Sequence, residues 1–180
     1  VAAPDGGGNS LRNQQIKSMT DYKDNRPHHL PRLRIVLTST PLFFITTNTH
    51  LRSRILDNER AHSVLRAEWE AARERHGWLV GRYVVMPDHI HFFCAPLPGA
   101  PAKTLSMFVM RWKEWTSKRM KEVTTMGPVW EKGFFDHLLR SDESYREKCH
   151  YLRENPVVAG LVSGVDDWKW QGFVDFDEPG

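Results

Sequence analysis

The run Trp78-Leu79-Val80-Gly81-Arg82-Tyr83-Val84-Val85-Met86-Pro87-Asp88-His89-Ile90-His91-Phe92-Phe93-Cys94-Ala95 holds two apolar, aromatic segments separated by Pro87-Asp88. Proline cannot donate to a ladder, so the pair reads as strand, tight turn, strand. Within the second segment, side chains two apart share a face, which sends His89 and His91 together to one side and Ile90, Phe92 and Cys94 to the other.

Working outward, Leu42–Thr47 and Arg34–Thr38 are rich in Val, Ile, Leu, Phe and Thr and read as strand material, with Pro41 interrupting them. Asn58–His76 carries Ala61, Leu65, Trp69 and Ala72 at helical spacing and is closed by Gly77. Lys103–Lys121 is expected as a second helix, Val129–Leu139 as a further strand, and Ser144–Asn155 as a third helix ending at Pro156 and Gly160. Trp168, Trp170 and Phe173 are expected to pack back on the domain. Strands interleaved with helices, joined by short strand-to-strand turns, give an α+β class: an antiparallel sheet with helices packed mainly on one face.

The chain has 180 residues, enough for one domain and a tail. Residues 1–31 contain Pro4, Gly6-Gly7-Gly8 and a polar mixture, and are expected to form a mobile N-terminal extension. Residues 32–180 then make a single domain. At 40% apolar and 26% charged, the composition excludes wholesale disorder. No stretch reaches the roughly 18 consecutive apolar residues of a spanning helix, and no signal-peptide core is visible, so no membrane role and a cytoplasmic location are expected. Cys94 and Cys149 lack metal-type spacing and are expected reduced and buried. No glycine-rich phosphate loop is present, which argues against ATP or dinucleotide use.

Three features carry chemistry. His89 and His91 on one strand face can share a divalent cation, or can be two half-exposed histidines without a ligand. Tyr151 and Asn155, four apart on the third helix, stack with Cβ atoms about 5–6 Å apart. They read as a phenol beside an amide oxygen or as ordinary helix-end residues; Lys148 shares their side. On the second helix Lys103, Arg111, Lys113, Lys118, Arg119 and Lys121 face one acid, Glu114, a net of +5 over 19 residues hidden within an overall +3. With Trp112 and Trp115 interleaved, that helix reads as a phosphate-tracking surface or as a solvated face over buried tryptophans.

The string Tyr83–His91 resembles the Y-V-x-M-P-x-H-x-H signature of single-tyrosine HUH transposases, above all the REP-associated tyrosine transposases. Gly127–His137 (Gly-Pro-Val-Trp-Glu-Lys-Gly-Phe-Phe-Asp-His) looks like the family's G-x-V-W-Q-x-x-F-x-D-H strand. Tyr151–Val162 (Tyr-Leu-Arg-Glu-Asn-Pro-Val-Val-Ala-Gly-Leu-Val) is similar to its Y-I-x-x-N-P-V-R-A-G-L-V helix end, and Leu42–Thr46 to its first strand. The resemblance spans about Arg34 to Phe173. It departs at Val158, where Arg is usual, and does not cover the N-terminal extension.

The resemblance implies a ferredoxin-like sheet with the His-x-His strand at its centre. It implies Mg²⁺ or Mn²⁺ held by His89, His91 and Asn155, with Tyr151 as nucleophile; Lys148, three residues before Tyr151, is a candidate for lowering the phenol's pKa. It further implies that single-stranded DNA is cut beside palindromic hairpins through a 5′-phosphotyrosine, by a monomer or homodimer of a bacterial protein that is nucleoid-associated when bound to DNA. Arg111, Lys113, Lys118, Arg119 and Lys121 are the expected DNA contacts. The competing expectation is a catalytically silent hairpin-binding protein of the same fold. A replication initiator of the same chemistry is disfavoured, because such proteins usually carry further domains.

Overall fold

A computed structural model describes residues 40–121, 127–139 and 142–177. The expected N-terminal extension and the strand expected over Arg34–Thr38 lie outside the described residues. The elements, in chain order, are β1 (Leu42–Asn48), α1 (Glu59–Glu70), α2 (Ala72–His76), β2 (Trp78–Val85), β3 (His89–Pro96), α3 (Leu105–Lys121), β4 (Phe135–Leu139), α4 (Asp142–Val158) and β5 (Gln171–Phe173). The strands form one sheet in the order β4-β1-β3-β2-β5, and every neighbouring pair is antiparallel. The strand bearing both histidines is therefore central.

The β2–β3 hairpin closes through Pro87-Asp88, with the Met86 amide donating to the His89 carbonyl at 2.8 Å. Between Val80 and Tyr83 the register against β3 slips, a bulge at Gly81-Arg82. A Cβ at Gly81 would fall within the Phe176 ring, which is fully buried there. The C-terminal segment is fastened at the same place: the Asp175 carboxylate accepts from the Val80 amide at 2.9 Å, and Arg82 grips Asp177 through two N–H groups.

Alternation along β3 sorts the layers. Phe92 meets Trp69 of α1 at 5.4 Å and Trp112 of α3 at 5.8 Å between ring centroids, and the two indoles stack at 5.4 Å. Burying each such side chain contributes about 1.5–3 kcal/mol. Phe93, one residue on, faces the other way and packs on Tyr145 of α4 at 4.7 Å. Hence α1, α2 and α3 cover one face, as expected of most helices, while α4 alone crosses the opposite one.

Three expectations need correction. The helix over Asn58–His76 starts where foreseen, with Asn58 Oδ1 accepting from the Ala61 amide at 3.0 Å, but it is interrupted at Ala71, whose ψ of −10° lets the ladder slip. The strand expected over Val129–Leu139 is extended only from Phe135. Gly133 takes a φ of +76°, and Trp130 turns inward so that its indole N–H donates to Thr116 Oγ1 at 3.0 Å. The third helix runs through Pro156 to Val158 and closes with Gly160 at φ +67°. Both cysteines are buried and unbridged.

Candidate active site

His91 stands opposite Thr46 of β1, and His89 opposite Asn48. The two imidazoles lie edge to face with centroids 4.9 Å apart. A nitrogen-to-metal distance is about 2.0–2.1 Å, so both rings are within reach of one shared cation. His89 Nδ1 is 2.7 Å from Asp88 Oδ1 and 3.4 Å from Arg52 Nη2. These contacts cannot both be hydrogen bonds of one neutral ring nitrogen. The shorter one, to an acceptor-only carboxylate, decides: Nδ1 carries the proton, and Nε2 keeps a free lone pair. His91 Nδ1 lies 2.7 Å from Thr46 Oγ1, whereas its Nε2 is buried with no hydrogen-bond partner.

Electrostatics keep both rings neutral. Burial, helped by the neighbouring His89 ring and by the positive charges of Lys148 and Arg52, brings His91 down to about 3. Burial also depresses His89, against the pull of Asp88 and with the help of Arg52. For Asp88 burial acts upward, but the hydrogen bond from His89 and the Arg52 charge outweigh it and hold the carboxyl below its ordinary range. Neutral imidazole is the form that ligates metals.

Helix α4 delivers the remaining groups. Its buried stripe of Tyr145, Cys149 and Leu152 seats it on the sheet. Residues 148, 151 and 155 flank that stripe at helical spacing. The Tyr151 ring is 5.6 Å from the His91 ring and 6.2 Å from Phe44, and remains 49% exposed. The Lys148 ammonium lies over the Tyr151 and Phe44 rings at 5.3 and 5.4 Å, a cation–π placement. Asn155, one turn beyond Tyr151, has a buried amide atom, Nδ2, without a partner. The two amide atoms are nearly alike in shape, so exchanging them would put an oxygen donor there. No group of three or more His, Cys, Asp or Glu among the described residues is arranged to hold a metal. The unpartnered buried atoms of His91 and Asn155 are the ones on this face that a ligand could satisfy.

The basic residues of α3 are not brought to this face. Their helix lies on the Phe92 side, and most are already engaged. Arg111 pairs with Glu114 at 2.7 Å and Arg119 with the buried Glu68 at 2.9 Å, while Lys118 sits 5.6 Å over the Trp115 ring. Lys113 donates to the carbonyls of Glu131 and Gly133 and is lowered to about 8 by burial, against the Glu131 charge. It fastens the loop before β4. Lys121 is exposed.

Four residues around the histidines escaped the sequence reading: Thr46, Asn48, Arg52 and Asp88. Thr46 and Asn48 alternate along β1 as a site-facing pair should, and Asp88 abuts His89, so these three had a signal. Arg52 had none. It sits in a short turn where Leu51 and Arg52 both take φ +54°, a left-handed pair without glycine. Each such residue costs on the order of 1 kcal/mol. The turn is stitched to the hairpin loop, with Thr49 N donating to Asp88 O and Ile55 N to Pro87 O, both at 2.9 Å.

No protein-family model matches the chain. Among curated proteins it is 27% identical over 134 residues to the REP-associated tyrosine transposase of Escherichia coli (strain K12), covering 73% of this chain and 74% of that protein. Among solved structures it superposes on a REP-associated tyrosine transposase bound to a REP hairpin, with a TM-score of 0.58 and 26% identity over 73% of this chain and 75% of the other. No helix among the described residues is long and apolar enough to cross a membrane. By sequence and by fold, this chain resembles the REP-associated tyrosine transposases.

Proposed function

We propose that this chain is a transposase-like enzyme of the bacterial cytoplasm that nicks and rejoins single-stranded DNA beside palindromic hairpins, with Tyr151 as its nucleophile. The observation that carries this reading is the half-exposed phenol of Tyr151 lying 5.6 Å from the His91 ring, beside a second imidazole with a free lone pair. One chain supplies the phenol and both histidines, so the reading needs no second copy.

In the proposed step the Tyr151 oxygen attacks the scissile phosphorus and loses its proton. The bond from phosphorus to the 3′-oxygen breaks, its electron pair leaves on that oxygen, and a proton completes a 3′-hydroxyl. The product is a 5′-phosphotyrosine. Attack on it by another 3′-hydroxyl reverses the sequence and joins strands without ATP. His89, His91 and Asn155 would hold Mg²⁺ or Mn²⁺, which when bound neutralises phosphate charge and stabilises the leaving oxygen. The Lys148 ammonium is placed to add positive potential near the phenol.

The test uses 5′- and 3′-labelled hairpin oligonucleotides with single-stranded flanks on a denaturing gel. Wild type gives a denaturation-resistant adduct on the 5′-phosphate side, and Tyr151→Phe, which removes one oxygen and little volume, gives none while retaining hairpin affinity. An adduct persisting in Tyr151→Phe, or one on a 3′-phosphate, overturns the assignment. Hairpin binding by wild type with no cleavage in Mg²⁺ or Mn²⁺ returns the silent-binder reading.

A further inference from the structure

Arg52 lies 36 residues before the hairpin loop, in a turn that no motif marks, yet its side chain is spent on the histidine site. Its Nε meets Asp88 Oδ2 at 2.9 Å and its Nη1 donates to Asn48 Oδ1 at 2.7 Å. Asp88 turns its other oxygen, Oδ1, to His89 Nδ1 at 2.7 Å. Asn48 is the cross-strand partner of His89 and is held in turn by Glu131, its Nδ2 donating to Oε2 at 3.3 Å. A planar guanidinium thus fixes a carboxylate and an amide at once, which a flexible ammonium would do less well. The left-handed pair Leu51-Arg52 is what aims it. Backbone hydrogen bonds to the hairpin loop hold the same turn in place, and observed strain beside a candidate site points to function.

We propose that Arg52 and Asp88 are positioning residues for His89: they lock the ring in the Nδ1–H tautomer and in the orientation that presents Nε2 to a divalent cation. This rests on the metal reading given above. The logic is that of a carboxylate behind a metal-ligating histidine, extended here by a cation that holds the carboxylate still. His91 is met at Nδ1 by the Thr46 hydroxyl at 2.7 Å, which can donate or accept and so orients the ring without dictating its tautomer. The two histidines are therefore buttressed differently, one by a charged relay and one by a hydroxyl.

The inference is tested without DNA or turnover. In protein labelled with ¹⁵N-histidine, long-range proton–nitrogen spectra report which ring nitrogen is protonated, with the His89 signals assigned by their loss in His89→Gln. At pH 7.5 wild type should show His89 protonated at Nδ1 alone. Asp88→Ala should turn most of the population to the Nε2–H form, and Arg52→Ala should give a mixture. Mn²⁺ titrated against each protein and followed by electron paramagnetic resonance should bind about 10–100-fold more weakly in Asp88→Ala and about 10-fold more weakly in Arg52→Ala. Arg52→Lys, which can meet Asp88 but not Asn48 as well, should recover part of the affinity. The backbone amide spectrum, unchanged beyond this loop, shows that the variants are folded.

An unchanged tautomer in Asp88→Ala overturns the proposal, as does Mn²⁺ affinity within twofold of wild type in both alanine variants. Wild type that binds no Mn²⁺ overturns the metal reading and the presentation of Nε2 together. The tautomer spectra then still decide whether Arg52 and Asp88 hold His89.

Discussion

Phe92 and His91 are neighbours in the chain but belong to different kinds of surface. Phe92 is fully buried, ring against ring with Trp69 of α1 and Trp112 of α3. His91 lies under one helix beside Thr46 and Phe44, with a half-exposed tyrosine at the rim and a buried nitrogen that nothing satisfies. A single strand thus separates a face closed by stacked aromatic rings from one left half-open at Tyr151. Buried polar atoms without a partner occur on both, the indole nitrogens of Trp69 and Trp112 as well as His91 Nε2 and Asn155 Nδ2, but only the α4 side sets such atoms beside an exposed phenol.

That contrast can be broken most severely from the open side. His89→Ala or His91→Ala should abolish strand cleavage, read on the same denaturing gels, while hairpin affinity is largely kept. Full cleavage by either variant, or by wild type in excess EDTA, would erase the distinction between the faces.

On the stacked side the same operation should injure stability rather than chemistry. Trp112→Ala removes an indole stacked on Trp69 and packed 5.2 Å from Trp130, and should lower unfolding free energy by about 3–5 kcal/mol in urea. A loss below about 1 kcal/mol would mean that the aromatic layer is loosely packed.

Acid should sharpen the contrast further. Folded His91 stays neutral down to about 3, whereas the ring in the unfolded chain titrates near 6.5. Between those values the unfolded state binds more protons, so the stability tied to a neutral His91 is whole above pH 6.5 and is lost as pH falls toward 3. His89, also depressed, acts in the same direction. Urea unfolding in EDTA should show a slope of up to about 1.4 kcal/mol per pH unit for each histidine, and His91→Phe should remove one such contribution. A flat profile over that window would contradict the burial of His91.

The smallest effect is expected from the α3 cations. They lie behind the aromatic layer, and Arg111 and Arg119 are held by carboxylates. Replacing Arg111, Lys118 and Arg119 with Ala should reduce the salt dependence of hairpin binding by about one counterion or fewer. A reduction near 0.9 for each residue would carry the DNA track round to the α3 layer.

How much of this was legible follows from the range of the signals. The β2–β3 hairpin declares itself through period-two alternation around a proline turn, and the helix carrying Tyr151 and Asn155 through spacing of four; both are local. The side of the sheet on which α4 packs is not local, because its stripe of Tyr145, Cys149 and Leu152 would suit either face. Strand β5 was invisible because Gln171-Gly172-Phe173 is too short to show a period, and it exists only because β2 offers an edge. The tether of Lys113 to backbone carbonyls was not legible, because charge counts do not reveal such contacts. Arg52 could not be found at all, since its meaning lies in a partner 36 positions away.

The closure of β2 by β5 has a bearing on biosynthesis. Strands β1 to β4 are made before residue 171, and they pair among themselves without it. A nascent chain paused on the ribosome short of that point would carry Val84 and Val85 on an open edge, with no Phe176 over Gly81. Chains at successive positions on one polysome hold such edges at high local concentration, where edge-to-edge pairing is a route to aggregation. The three residues of β5 and the four that follow them therefore act as a late seal on that edge, and deleting residues 171–177 should lower soluble yield.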